Sequence, residues 1–527
     1  MRRAAIARRL AAASLLSVSL ACRSTGTATN TAPQLDADRE RIARFTTQAE
    51  ALRSVLRIPG MSAAVVRDGH LVWSHGFGLA DVEGKVAAND STPYVIASLT
   101  KTFTSTLLLR LVEQGAVSLE DPMRKYTDEI PEPKAKVRHV LSMTSKGTPG
   151  ERYEYDGGRY GALTSVLERA TGQPYRVLLA KEILQPLAMR QSVPGQDVLD
   201  SVARWTPLLG DSTVARYRAT LGRLAKPYRV FAGQEVVRSL YPPSRLTASA
   251  GLVSTVRDLA AYDSALDAHA FLRPGTQQLA WVPTISTDGR TLPYGLGWFV
   301  RDYRWQRFLW HYGYWPDAFS SLIVKAPAQG LTLILLGNSD GLSAGFYGPG
   351  GAETNPIACE FLRIFVFEPE LGRRLPDPKW STDSVATRTS IDEASKQASR
   401  YDYSCERLDA QLVAEQKARS MKRVPSVVSV DRATLERYAG EYQNPDGRVY
   451  RVAVHNDTLV SWTRSGEQFS LFPTSSTTFF AKATDWMLSF QPDSAGKVSA
   501  LDVWVGERPT RMTRLQTAVP AGAERKP

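Results

Sequence analysis

The sequence predicts an α+β fold, in which helices and an antiparallel sheet share one large domain, followed by a small all-β domain. Three observations predict it. Residues 94–115, YVIASLTKTFTSTLLLRLVEQG, carry helical periodicity: Phe103, Leu107, Leu108, Leu111 and Val112 recur on one face, and Gly115 stands where a C-terminal cap belongs. Between residues 294 and 338 the segments YGLGWFV, RFLWHYG, FSSLIVKA and LTLILLGN read as adjacent antiparallel strands. From 435 to 515 short strand signals recur with turns between them, the spacing of a small barrel. At 527 residues the chain is also too long for one compact core.

The chain opens with Arg2, Arg3, Arg8 and Arg9, then an apolar stretch over 10–21 that is too short to span a membrane. This predicts a secretory signal at 1–21. Ser19-Leu20-Ala21-Cys22 resembles a bacterial lipoprotein cleavage site, although leucine stands two residues before the cysteine, not three. The expectation is an exported, periplasmic chain attached to a membrane through lipidated Cys22, with plain export and a free Cys22 as the alternative. Residues 22–38 are small and polar and predict a flexible tether. A helical pattern follows through Ile42, Phe45, Ala49, Leu52 and Leu56. Two apolar runs over 61–81, joined by Arg67-Asp68-Gly69, predict a hairpin. After the 94–115 helix come a turn-rich loop over 122–133, a short helix from Val137, and a glycine-broken loop leading to a helix that ends at Thr171-Gly172. Residues 205–245 give mixed signals and are left as an insertion. Thr255 predicts the N-cap of the next helix, and 356–367 predict a short helix. Residues 391–422 predict, by their composition, a charged, helical connector.

Net charge is +12, and removing the four arginines of the signal leaves +8 over about five hundred residues. No dense Lys/Arg block with interleaved aromatics occurs, so nucleic-acid binding is a poor reading. Beyond Cys22 only Cys359 and Cys405 remain; they could pair in an oxidising compartment, and they make no zinc site. The six histidines show no metal-ligand spacing, and neither a phosphate loop nor a dinucleotide fingerprint appears. No cofactor or metal is implied.

Ser98 and Lys101 stand three apart at the top of the 94–115 helix, so the hydroxyl and the amine share a face. Helix N-terminal N–H groups favour a developing oxyanion. A lysine that loses water on entering an apolar helix top becomes a base able to take the serine proton. That is the machinery of acyl transfer through a serine ester. The bare spacing is weak evidence, because Ser494 and Lys497 repeat it inside DSAGK, which reads as a β-turn.

Further segments carry a resemblance. RDGHLVWSHGFGLADVEGKV, ASLTKTF, LVEQGAVSLEDPMRKY, HVLSMTSKG, TGQPY, SAGLVSTVRDLA, YGLGW and HYGYWPDAFSSLIVKAP are together similar to the serine β-lactamase and penicillin-binding-protein family, in its class C β-lactamase and esterase branch. The likeness covers roughly residues 40–365 and implies an antiparallel sheet with helices on both sides, within a domain at 39–374. The family's Tyr-x-Asn falls on Tyr155-Asp156-Gly157, which implies Tyr155 as acid/base beside Lys101; Gly157 lacks the amide that would grip an acylamino group. On the residues alone, the tyrosines of this loop read as packing beneath it. The Lys-Thr-Gly strand motif is replaced by His311-Tyr312-Gly313. His311 and Gly313 are thereby implied at the substrate, and the N–H groups of Ser98 and Tyr314 in an oxyanion hole, whereas His311 on the residues alone reads as a structural, hydrogen-bonded histidine. After a connector at 375–430, residues 431–518 resemble the lipocalin-like β-barrel module often appended to these hydrolases. Its Trp462, Phe469 and Trp486 are expected to fill the barrel core. The reading is a serine hydrolase acting on ester or amide carbonyls of a small-molecule or peptide substrate (D-amino-acid peptide or β-lactam-like). A penicillin-binding or sensor protein that acylates with little turnover, and an envelope scaffold with an inert hydrolase half, are the rivals.

Overall fold

The computed structural model describes residues 32–230, 236–242, 245–303, 306–343, 351–369 and 427–515, apart from 446, 448, 456, 463–467, 482–485 and 505–508. The predicted signal, most of the tether, most of the connector and Cys405 lie outside these residues. Helix α1 runs Ala32–Val55, beginning inside the predicted tether; Pro33, at its second position, gives up an N–H that the first turn leaves unpaired anyway.

A seven-stranded antiparallel sheet forms the centre of the first domain. Its strands are β1 (Gly60–Arg67), β2 (His70–Asp81), β3 (Val86–Ala87), β4 (Phe299–Tyr303), β5 (Gln306–Trp315), β6 (Phe319–Ala326) and β7 (Leu331–Gly337). Their order across the sheet is β3-β2-β1-β7-β6-β5-β4. The β1–β2 hairpin turns on Asp68 and Gly69, both at positive φ, as a two-residue turn of the mirror-image type needs. Strand β1 then pairs with β7 from Met61↔Gly337 to Arg67↔Leu331. β6 and β7 are buried along their whole length, which matches their continuous apolar runs.

Helices cover both faces. On one, Phe45 of α1 meets Trp73 edge-on at 5.6 Å, and Phe361 and Phe365 at 5.9 and 5.8 Å. On the other lie α2 (Thr100–Glu113) and α4 (Val256–Asp267), joined by Phe103 stacked on Tyr262 at 3.9 Å. Between them in the chain, α3 (Leu163–Thr171) ends on Gly172 at φ 67. Thr255 caps α4 by accepting from the Asp258 N–H at 3.2 Å. The insertion holds two helices, Val202–Leu209 and Asp211–Leu221, and a two-stranded ribbon of Tyr228–Arg229 with Val237–Arg238. Beneath α4 a buried ion pair forms, Lys325 Nζ to Asp263 at 2.5 Å, with Asp267 at 2.9 Å.

The second domain is a closed barrel of eight antiparallel strands between Gly440 and Arg514. Alternate residues point inward, so Leu459, Leu471, Phe479, Leu488, Phe490, Leu501 and Val503 fill it. Tyr438, from the helix that precedes the barrel, stacks on Phe490 at 4.4 Å. The side chains of Trp462, Phe469 and Trp486 lie outside the described residues. Ser494 and Lys497 stand in an exposed turn whose Asp493 carboxylate accepts from the N–H groups of Ala495 and Lys497.

Candidate active site

The Ser98 turn is built by a strand that stops abruptly. Tyr94 and Val95 pair with Ser254 and Val253, and the Ile96 N–H reaches Leu252 O at 3.0 Å. Ala97 then adopts φ +47, a left-handed conformation costing on the order of 1–3 kcal/mol in a residue with a Cβ. That bend sets Ser98 at the head of α2. The helix is more buried than its one-sided apolar pattern predicts: every residue from Thr100 to Leu109 is inside. Its hydroxyls are tolerated there because they are bonded, Thr104 to Tyr175 at 2.7 Å and Thr106 to Tyr262 at 2.8 Å.

Lys101 is fully buried, and its Nζ lies 2.8 Å from Ser98 Oγ and 3.0 Å from the Ser249 carbonyl. The ring of Tyr155 stands 5.1 Å from that nitrogen and the ring of Tyr160 5.5 Å. Tyr155 itself is held in an aromatic stack, 6.0 Å from Phe299 and 5.8 Å from Tyr312, nearly parallel to both. Ser98, Lys101 and Tyr155 are therefore brought together from two distant stretches of chain. Gly157 opens a short helix, Gly157–Gly161, capped by Asp156, and is half-buried near the Tyr155 loop.

β5 supplies the other wall. Its pairing with β4 ends at Trp310, so residues 311–315 present an edge that no strand among the described residues covers, and the Ser98 turn packs there. Gly313 is what permits the approach, since a Cβ on it would lie 2.0 Å from Ile96 O. The space that the sequence assigns to substrate is thus taken by the Ser98 turn. Ser321 Oγ donates to the same Ile96 carbonyl at 2.8 Å.

His311 differs from its expected place at the substrate. It is fully buried, with Nδ1 donating to Tyr312 O at 2.8 Å and Nε2 2.9 Å from the Tyr294 hydroxyl. Since a carbonyl can only accept, Nδ1 carries the proton and Nε2 accepts from Tyr294. Burial, helped by the nearby Lys101 charge, pushes its pKa down to about 3, so the ring is neutral. Burial likewise raises the phenols of Tyr153, Tyr160 and Tyr294, which stay protonated donors. Tyr314 follows on the open edge, half-buried. Ser249, Tyr160, Tyr294 and Ser321 complete the site and were not singled out from sequence: an isolated hydroxyl or carbonyl carries no periodic or spacing signal. Among the described residues no group of three or more His, Cys, Asp and Glu could hold a metal.

A serine and a buried lysine at a helix head, facing an open strand edge within an α+β domain that precedes a closed barrel, define a β-lactamase/transpeptidase-like serine hydrolase. The Beta-lactamase family model matches residues 46–348, over half of the chain, and the chain belongs to that family. A second model, described as a domain of unknown function (DUF3471), matches residues 424–514 and so covers the barrel. The chain is 25% identical over 277 residues to the D-aminopeptidase of Brucella anthropi, covering 45% of this chain. It spans about half, 48%, of that relative's length. It is 21% identical over 458 residues to penicillin-binding protein 4* of Bacillus subtilis, across 80% of this chain and 88% of the other. The octameric penicillin-binding protein homologue from Pyrococcus abyssi superposes with a TM-score of 0.51 at 18% identity, over 90% of this chain and all of that one. The last likeness is one of fold.

Proposed function

We propose that the protein hydrolyses ester or amide carbonyls through an acyl-enzyme on Ser98. The observation that carries this is the 2.8 Å contact between Ser98 Oγ and a lysine amine shut off from water. The free-amine form of Lys101 takes the Oγ proton as Oγ attacks the carbonyl carbon. The N–H groups of Ser98 and Tyr314 hold the resulting oxyanion. The leaving group departs with a proton delivered by way of Tyr155 or Lys101, and water, deprotonated by the same groups, releases the acid and restores Ser98.

Esters and D-amino-acid peptides fit this site better than β-lactams. Gly157 offers no amide to an acylamino group, and a neutral, buried His311 offers no charge to a substrate carboxylate. The likeness to a D-aminopeptidase supports the same preference. The test is fluorophosphonate labelling and nitrophenyl-ester turnover by wild type, Ser98→Ala and Lys101→Ala. Labelling lost in both variants is the expected result; label that persists in Ser98→Ala would sink the mechanism. The likeness to a penicillin-binding protein keeps a second reading in view, acylation with little turnover. A long-lived adduct by mass spectrometry, without multiple turnovers, would favour it.

The N-terminal pattern and the disulfide at Cys359, whose partner lies outside the described residues, support export to the periplasm with a lipid on Cys22. Metabolic labelling with a radioactive fatty acid, lost in Cys22→Ala, tests that reading.

A further inference from the structure

We propose that two buried hydroxyls, Thr100 Oγ1 and Ser343 Oγ, are positioning residues for the oxyanion hole, each fixing the peptide unit whose N–H faces the developing charge. This rests on the reading of Ser98 as nucleophile and of the Ser98 and Tyr314 N–H groups as the oxyanion donors. The Ser98 N–H belongs to the peptide unit whose carbonyl is that of Ala97, and Ala97 O accepts from Thr100 Oγ1 at 2.7 Å. The Thr100 N–H reaches the same oxygen. The Tyr314 N–H belongs to the unit whose carbonyl is that of Gly313, and Gly313 O accepts from Ser343 Oγ at 2.9 Å. The two halves of the site, 216 residues apart in the chain (98 against 314), therefore carry the same device.

In a planar trans peptide the C=O and the N–H point in opposite directions. A hydroxyl donating to the carbonyl thus stands behind the N–H and sets the rotation of the whole unit. Ser343 Oγ also approaches Ser321 O at 3.3 Å, and Ser321 is the residue paired with Gly313 across β5 and β6. The Gly313 carbonyl consequently faces β6, and the Tyr314 N–H faces the uncovered edge where the Ser98 turn lies. On the other side the bend at Ala97, φ +47, would relax by rotating its peptide unit if nothing held the carbonyl. Thr100 Oγ1 is anchored in turn by the Leu252 N–H at 3.2 Å. Both residues are fully buried, so water cannot replace them. Hydrogen bonds in series also polarise one another, so a capped carbonyl makes its N–H a stronger donor.

The test compares full-length Thr100→Val and Ser343→Ala with Thr106→Val, which removes a buried hydroxyl lower on the same helix, bonded to Tyr262 at 2.8 Å. The readouts are fluorophosphonate labelling rate, nitrophenyl-ester kcat and KM, Ki for an arylboronic acid whose tetrahedral adduct places an oxygen in the hole, and Tm. The expected result is a loss of about tenfold in kcat at unchanged KM, less than the loss of an entire oxyanion donor. Boronate Ki should rise by the same factor, and Thr100→Ser and Ser343→Thr should restore both. Thr106→Val should lower Tm and leave kcat and Ki alone. If Thr100→Val does not fold, Ser343→Ala decides by itself. Variants that lose Tm as Thr106→Val does while holding kcat and Ki would overturn the inference and leave the Ser98 mechanism standing. A wild-type chain that takes up no fluorophosphonate would overturn the mechanism, and this inference with it.

Discussion

Gly313→Ala is the sharpest single test of how the site is assembled. The added Cβ would stand 2.0 Å from Ile96 O and 2.3 Å from Ser321 Oγ. A carbon–oxygen contact settles near about 3.3 Å, so β5 and the Ser98 turn must part by about 1.3 Å. Little nearby can yield. Ile96 is tied through its carbonyl to Ser321 and through its N–H to Leu252, and the Gly313 carbonyl is tied to Ser343. The displacement therefore passes to Ala97 and Ser98, widening the gap between the N–H groups of Ser98 and Tyr314, the proposed oxyanion donors. A misplacement of that size costs on the order of 10²-fold in rate, and the overpacking itself about 1–3 kcal/mol of stability. Nitrophenyl-ester kcat/KM and thermal unfolding measure the two effects separately. A Gly313→Ala enzyme whose kcat/KM stays within about threefold of wild type would refute the claim that glycine is needed for this approach.

Other outcomes follow from the same structure. Tyr155→Phe keeps the aromatic stack and removes the phenol, so kcat should fall by about 10²–10⁴-fold with Tm nearly unchanged; a fall in Tm with kcat intact would make the ring structural only. His311 is held neutral in the fold down to about pH 3, whereas in the unfolded chain it protonates near 6.5. The unfolded state thus binds the extra proton in this window, and stability must decline as pH drops from 6.5 towards 3. The decline amounts to about 2 kcal/mol by pH 5, measured as the difference in denaturant stability between wild type and His311→Gln; parallel pH profiles for the two proteins would contradict this. Asp263→Ala removes the fully buried partner of Lys325 and should cost about 3–5 kcal/mol, most of it recovered in the double variant Asp263→Leu/Lys325→Met. Chemical denaturation of wild type and the two variants measures both steps, and a double variant no more stable than Asp263→Ala would show that the pair is not the cause.

What could be read from the chain was whatever rests on repetition. The helical period after Ser98 and the alternation between 435 and 515 are local signals, and both elements formed where they pointed. The DSAGK copy of the serine–lysine spacing fell in a turn, as its Asp and Gly predict. Residues whose role depends on distant neighbours were not legible. Ser249 meets Lys101 across 148 positions and Ser321 meets Ile96 across 225. Before folding, nothing distinguishes those serines from any other. The tie between His311 and Tyr294 was not legible, because YGLGW and HYG were each read as a separate segment and only the fold brings the two rings together. Gly313 was recognised as a place of close approach, yet only the packed turn shows what approaches.

The pairing of β1 with β7 bears on when the protein can be active during its synthesis. A ribosome that has released residues up to the end of α2 has already made the alcohol and the amine. The strand that carries Tyr314 comes some two hundred residues later, and the strand that ties it to the amino-terminal hairpin ends only at Gly337. Incomplete chains therefore hold Ser98 and Lys101 with no β5 edge to face them, and under the proposed mechanism the site is whole only when the domain is.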